Sequence, residues 1–179
     1  MNLSGIKRTS NGGLSCAEAG KLIVLPDNIY MSQPHKLSLA VQYASAGKNL
    51  PTRQQFRRWV RVALQRDLHC TLRVVDETEA RQLNRDYRGK DYATNVLTFV
   101  YGDTTPLSGD IVICAPVVER ESKEQDKALL THYAHMTLHS VLHLQGYDHE
   151  NEADAGRMEA LETALMAKLG YPAPYVVNS

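Results

Sequence analysis

The sequence predicts an α+β fold, a small four-stranded mixed sheet covered by about five helices. Three observations lead there. Period-two alternation and short apolar runs mark four strands, while apolar residues at three- and four-residue spacing mark five helices. Their order is strand, helix, strand, helix, two strands, then three helices, which one helix-covered sheet accommodates. At 179 residues the chain suits one well-buried domain and is short for two.

Residues 1–34 stand apart. Asn2 to Gly20 is rich in Gly, Ser and Asn without apolar periodicity, and Met31 opens a segment that reads like an ordinary protein start. This stretch is expected to be a disordered N-terminal extension, with residues 35–175 as a single domain. No apolar run precedes Cys16, so a signal peptide is rejected.

From Lys36 the pattern is regular. Leu37, Leu39, Val41 and Tyr43 alternate with Ser38, Ala40 and Gln42, a half-buried strand. Thr52 is a suitable N-cap for a helix whose inner face carries Phe56, Trp59, Val60, Ala63 and Leu64. The other face carries Arg53, Arg57 and Arg61, with Arg58 and Arg66 nearby; a solvated face is the first reading, a phosphate-contacting face the second. Residues 71–75 form the second strand, and 77–87 a short helix with Ala80, Leu83 and Tyr87 inward. Arg88, Gly89, Lys90 and Asp91 are read as a loop. Residues 94–99 make the third strand. Residues 109–114 make the fourth, apolar enough to be central. Pro116 suits the first turn of a helix running to about Gln125. A long helix spans 129–144 and is expected to pack in the middle. The last helix has Met158, Leu161, Leu165 and Leu169 inward and stops at Gly170.

Composition narrows the function classes. Formal net charge is zero, so no global basic field advertises nucleic acid, and any such contact must be local. Cys16, Cys70 and Cys114 are odd in number and far apart, as in a reduced, cytoplasmic protein. No apolar run approaches the roughly 20 residues that span a bilayer.

The chemistry concentrates at His139-Ser140-Val141-Leu142-His143-Leu144-Gln145-Gly146-Tyr147-Asp148-His149. On a helix, a four-residue step is about 40° of rotation, so His139 and His143 leave one face. Gly146 can turn the chain back and bring His149 over the pair. Three neutral imidazoles with an open fourth position suit a catalytic zinc ion. The spacing is that of the metzincin peptidases, H-E-x-x-H-x-x-G-x-x-H, except that their general-base glutamate is replaced by Ser140. The zinc scaffold is therefore present and the peptidase base is missing. A phosphodiester needs charge stabilisation besides the metal, and Arg88 and Lys90 stand as candidates. Along the same helix, His132 is expected to be exposed; His135 is read first as a plain helix-face histidine and second as a partner that supports a metal ligand from behind. Asp148 is either an imidazole-orienting partner or a turn residue, and Tyr147 is read as core.

These residues, followed by Met158-Glu159-Ala160-Leu161-Glu162, closely resemble the signature of the YbeY family of bacterial rRNA maturation factors, H-G-x-L-H-L-x-G-Y-D-H. The likeness extends to residues 83–91, to Thr94-Asn95-Val96-Leu97-Thr98-Phe99 and to Gly109-Asp110-Ile111-Val112-Ile113, and covers about residues 37–175. Ser140 stands where that family usually has glycine. The resemblance implies a metal-dependent endoribonuclease acting on single-stranded RNA, in 16S rRNA 3′-end maturation and ribosome quality control with the small ribosomal subunit. It implies one zinc ion at His139, His143 and His149, and it brings Arg88 forward as the functional arginine. Two other classes stay open: a non-catalytic ribosome assembly factor with structural zinc, and a zinc peptidase or amidohydrolase, which Ser140 disfavours.

Overall fold

The computed structural model describes residues 35–102, 105–148 and 151–175, so the expectations for residues 1–34 lie outside it. Nine elements appear in the predicted order: β1 (Leu37–Tyr43), α1 (Arg53–Ala63), β2 (Leu68–Val75), α2 (Glu77–Arg88), β3 (Val96–Val100), β4 (Leu107–Cys114), α3 (Ala115–Glu124), α4 (Leu129–Leu144) and α5 (Glu152–Leu169). Local signals account for several boundaries. Thr52 accepts from the Gln55 backbone N–H at 3.2 Å, while the Gln55 side chain accepts from the Thr52 N–H at 2.8 Å, a reciprocal cap that starts α1. Asn151 caps α5 by accepting from Asp154 N–H at 3.0 Å.

The sheet has strand order β1-β2-β4-β3, with β1, β2 and β4 parallel and β3 antiparallel on the edge beside β4. Two strands start earlier than the local pattern indicates. Leu68 pairs with Leu37 on one side and Leu107 on the other, so the three strands begin together at a register no single segment encodes.

Side chains from the sheet build a core on each face. Leu72, Ile111 and Ile113 pack with Phe56, Trp59 and α4's Leu138, Val141 and Leu142. Val112, Cys114 and Leu97 point the other way, against Ala80 and Val117. Helix α4 runs through the larger core, touching α1, α3, α5, β3 and β4, as expected of the long helix. The arginine run on α1 lies outside. Arg57 donates to the Leu39 carbonyl at 3.2 Å and Arg53 sits 5.1 Å from the Tyr43 ring, which accords with a solvated face.

One contact fixes how closely α4 approaches the sheet. A Cβ on Gly109 would lie 2.4 Å from Leu144 Cδ2 and 2.4 Å from the Phe99 carbonyl oxygen. Only a residue without a side chain lets the last turn of α4 settle onto the β3–β4 pair. Among the described residues no helix is long and apolar enough to cross a membrane.

Gly109→Ala is expected to lower stability by roughly 1–3 kcal/mol through overpacking, read from urea denaturation midpoints. A variant as stable as the wild type would mean that Leu144 does not seat on Gly109. The two buried cysteines give a second check. Burial, with the Asp110 charge, pushes the Cys70 thiol up to about 12, and burial pushes Cys114 up to about 11. Both stay protonated at pH 8 and should resist iodoacetamide in the folded protein, reacting only in denaturant, as peptide mass mapping would record.

Candidate functional site

The site is built on α4 and closed by α5. His139 and His143 stand one turn apart on α4, and their Nε2 atoms face each other at 3.1 Å. Behind His139, α5 presents Glu162, whose carboxylate is completely buried. Glu162 Oε1 accepts from His139 Nδ1 at 2.8 Å. An ionised carboxylate only accepts, so it holds the His139 proton on Nδ1 and leaves the Nε2 lone pair facing His143. Tyr175 donates its hydroxyl to Glu162 Oε2. His135 Nε2 lies 3.6 Å from that same oxygen, an ion-pair separation rather than a hydrogen bond.

These contacts decide the charge of Glu162. Burial alone would raise its carboxyl, but the polar contacts from His135, His139 and Tyr175 outweigh it and hold the group down to about 2. The reverse holds for Tyr175, whose phenol is pushed up by burial and by the Glu162 carboxylate, so it remains a donor. A small cavity of about 70 Å³ opens beside His139, lined by Met158, Glu159, Glu162 and Tyr175.

Helix α4 ends as the motif predicts. Gly146 takes φ +89°, its N–H donates to His143 O at 3.0 Å, and Tyr147 N–H donates to Leu142 O at 3.1 Å. Tyr147 packs against the core and donates to Gln65 Oε1 at 2.9 Å, as a structural residue does. His149 lies outside the described residues. Among the described residues no set of three His, Cys, Asp or Glu gathers to hold a metal ion. The two imidazoles nevertheless suit one: ligand nitrogens of a tetrahedral zinc lie about 3.3 Å apart, close to the separation seen here.

Ser140 is fully buried and faces away from the histidine pair, donating Oγ–H to the Met136 carbonyl at 2.9 Å. Its hydroxyl is spent inside the helix, so it supplies no base.

Arg88 is the last residue of α2 rather than part of the loop. Gly89 at φ +67° ends the helix one residue later than the apolar pattern indicates, with its N–H on Arg85 O at 3.0 Å. Arg88 and Lys90 are exposed, and neither side chain makes a hydrogen bond or ion pair among the described residues, though the Lys90 N–H donates to Asn84 O at 3.3 Å. Phe99 links Arg88's neighbourhood to the histidines. The Tyr87 ring packs 5.0 Å from the Phe99 ring, while the Phe99 backbone and the side chain of Leu144, next to His143, both lie against the bare Cα of Gly109. Tyr87, beside Arg88, and Leu144, beside His143, thus both lie near Phe99, toward the last turns of α2 and α4.

Two expectations fail. His132 is buried rather than exposed, because α3 covers that end of α4. Its Nε2 lies 2.8 Å from Glu121 Oε2, which also accepts from Asn95 Nδ2 at 3.1 Å. Burial lowers the His132 pKa and outweighs Glu121, keeping the ring neutral. His135 is likewise no plain helix-face residue but a buried neighbour of Glu162. Sequence reasoning missed Glu162 itself. A signal was there: Met158, Glu162, Leu165 and Leu169 share one helical face, so the carboxylate occupies a core register.

The chain matches a family model described as Endoribonuclease YbeY over residues 42–170. It is 57% identical over 140 residues to the endoribonuclease YbeY of Methylobacillus flagellatus, covering 78% of this chain and 94% of that one. It is 59% identical over 142 residues to that of Thiobacillus denitrificans, covering 78% and 97%. The solution structure of TM1509 from Thermotoga maritima aligns over 79% of this chain and 98% of that one, at 24% identity and a TM-score of 0.48.

Glu162→Gln preserves shape and removes the charge. At neutral pH, chelator-treated variant protein is expected to unfold about 1.5–3 kcal/mol more easily than wild type. The carboxyl titrates at about 2 in the fold against an ordinary 4.5. Its charge therefore stabilises fully above about pH 4.5 and loses effect as pH falls toward about 2, so the gap between the proteins narrows over that window. Urea titrations at pH 7 and pH 3 would show it; an equal gap at both would separate Glu162 from its proposed partners.

Proposed function

The chain belongs to the YbeY endoribonuclease family, and on that premise we propose that it is a metal-dependent endoribonuclease cleaving single-stranded RNA. The observation that supports this most directly is the facing pair of imidazole nitrogens at 3.1 Å, one of them fixed from behind by a buried carboxylate. His139 and His143 would hold one zinc ion, with His149 as the third ligand. Zinc bound there would supply Lewis acidity toward a phosphate oxygen and make a bound water more acidic.

The remaining work falls to the protein. Glu162 keeps the His139 proton on Nδ1 and so presents Nε2 as a ligand. Arg88, exposed at the C-terminus of α2 with no side-chain partner among the described residues, grips a phosphate oxygen as charge builds there during attack. Ser140, facing the core, takes no proton, so a peptidase mechanism built on a base at that position has no support. The biological setting we propose is 16S rRNA 3′-end maturation and ribosome quality control in the cytoplasm, with the small ribosomal subunit as partner.

Wild type, His143→Ala and Arg88→Ala, each with bound metal counted, should be incubated with single-stranded RNA carrying the 16S 3′ end. Wild type is expected to cleave. His143→Ala should lose both metal and cleavage. Arg88→Ala should keep the metal and lose cleavage by 10²-fold or more, as for removal of one transition-state donor. Equal residual cleavage in all three would assign it to a contaminating ribonuclease and favour a non-catalytic assembly factor.

A further inference from the structure

Large hydrophobic side chains are exposed together at one place in the fold. Tyr87 is 69% exposed and Tyr101 58%, at the end of the sheet where α2 and β3 finish. Phe99 lies between them: its ring meets Tyr87 at 5.0 Å and 69°. Phe99 and Tyr101, two residues apart on extended chain, point to the same face. Tyr101 is not a loose side chain. Its N–H donates to Ser108 O at 2.9 Å and its hydroxyl to Asp110 Oδ2 at 2.8 Å, so the ring is held while its surface stays open. That bond is the main reason its phenol is pushed up to about 12; burial adds to the rise, and the Tyr87 hydroxyl is near enough to contribute.

The charge beside these rings is one-sided. Residues 81–92 carry four cations and two carboxylates in a chain of zero formal net charge. Arg81 pairs with Asp91 and Arg85 with Asp86, which leaves the cations of Arg88 and Lys90 without partners among the described residues. A protein-binding patch is depleted of charge at its centre. Open aromatic rings flanked by unpaired cations instead complement a strand with flat bases and a charged backbone. The patch also borders the histidine helix, since the Phe99 backbone and the side chain of Leu144, next to His143, both crowd the space above Gly109.

We propose that Tyr87, Phe99 and Tyr101 form a base-stacking platform that holds single-stranded RNA across edge strand β3, with its phosphates on Arg88 and Lys90. The proposal rests on the ribonuclease reading and adds how the strand is recognised: as unpaired bases, through ring faces that tolerate any sequence. A paired base must first give up its pairing and stacking, at a cost in free energy, so the platform favours single strands.

Fluorescence anisotropy would measure binding of a short labelled oligoribonucleotide and of an abasic strand of equal length. The proteins are wild type, Tyr87→Ala, Tyr87→Phe and Arg88→Ala, with cleavage assayed alongside. Wild type should prefer the strand with bases. Tyr87→Ala should weaken binding about tenfold and erase that preference while keeping the salt dependence of wild type. Tyr87→Phe should restore both, because the ring matters and the hydroxyl does not. Arg88→Ala should instead flatten the salt dependence by about 0.7 in log–log slope and keep the preference for bases. Wild-type cleavage together with unchanged affinity and preference in Tyr87→Ala would overturn the platform alone. Wild type that neither binds nor cleaves any strand would overturn the ribonuclease reading, and the platform with it.

Discussion

A completely buried carboxylate holds this site together. Glu162 sits in the core face of α5 and reaches α4 to fix His139 Nδ1, with Tyr175 and His135 gathered on its other oxygen. Burying a charge is expensive unless hydrogen bonds satisfy it. Those partners satisfy it so well that the group stays ionised far below its ordinary range. The consequence runs in two directions. The contact ties α5 to α4, and it selects the histidine tautomer whose Nε2 lone pair faces His143. Fold and chemistry share one interaction, which is why a carboxylate is tolerated where a leucine would pack more simply.

The second constraint is the depth at which α4 lies. Its face toward the sheet is apolar, but apolar packing alone would not set the distance. The missing side chain at Gly109 does, letting Leu144 settle where a Cβ would stand, beside the backbone of Phe99. Since His143 precedes Leu144, the position of the histidine pair relative to β3 is set at that contact. The Tyr87 ring, beside Arg88, packs on the Phe99 side chain of the same strand. In the proposed function this short edge strand is the strip of backbone that the histidines and Arg88 share.

Much of this was legible in the sequence because it is written locally. The helix N-cap at Thr52, the glycine turn after His143 and the apolar stripe of α1 need only neighbours three or four residues away. The starts of β2 and β4 were not legible, since their register comes from strands about thirty to forty residues distant. His132 and His135 misled for a related reason. A histidine on a helix face looks solvent-directed until another element covers it, and α3 and α5 arrive from elsewhere in the chain. Glu162 was visible as an anomaly, a carboxylate in a core register, yet only the fold reveals that its partner is His139. The family signature was legible throughout, but it names residues without saying which atoms they use.

Substrate class follows from how the residues near the histidines are spent. In the metzincin arrangement the position after the first histidine faces the metal and carries the base. Here that position is Ser140, buried and bonded back to Met136, so its hydroxyl is engaged within its own helix and no base stands there. What the proposed function draws on instead is the positive charge of Arg88 and Lys90, without partners among the described residues, and the open rings of Tyr87 and Tyr101. A peptide bond gains little from either. A phosphodiester gains from the first because charge accumulates on its non-bridging oxygens, and an unpaired strand gains from the second because its bases are free to stack. Zero net charge is no objection to this reading. The cations that matter are few and local, and a neutral remainder keeps the chain from adhering to every polyanion it meets.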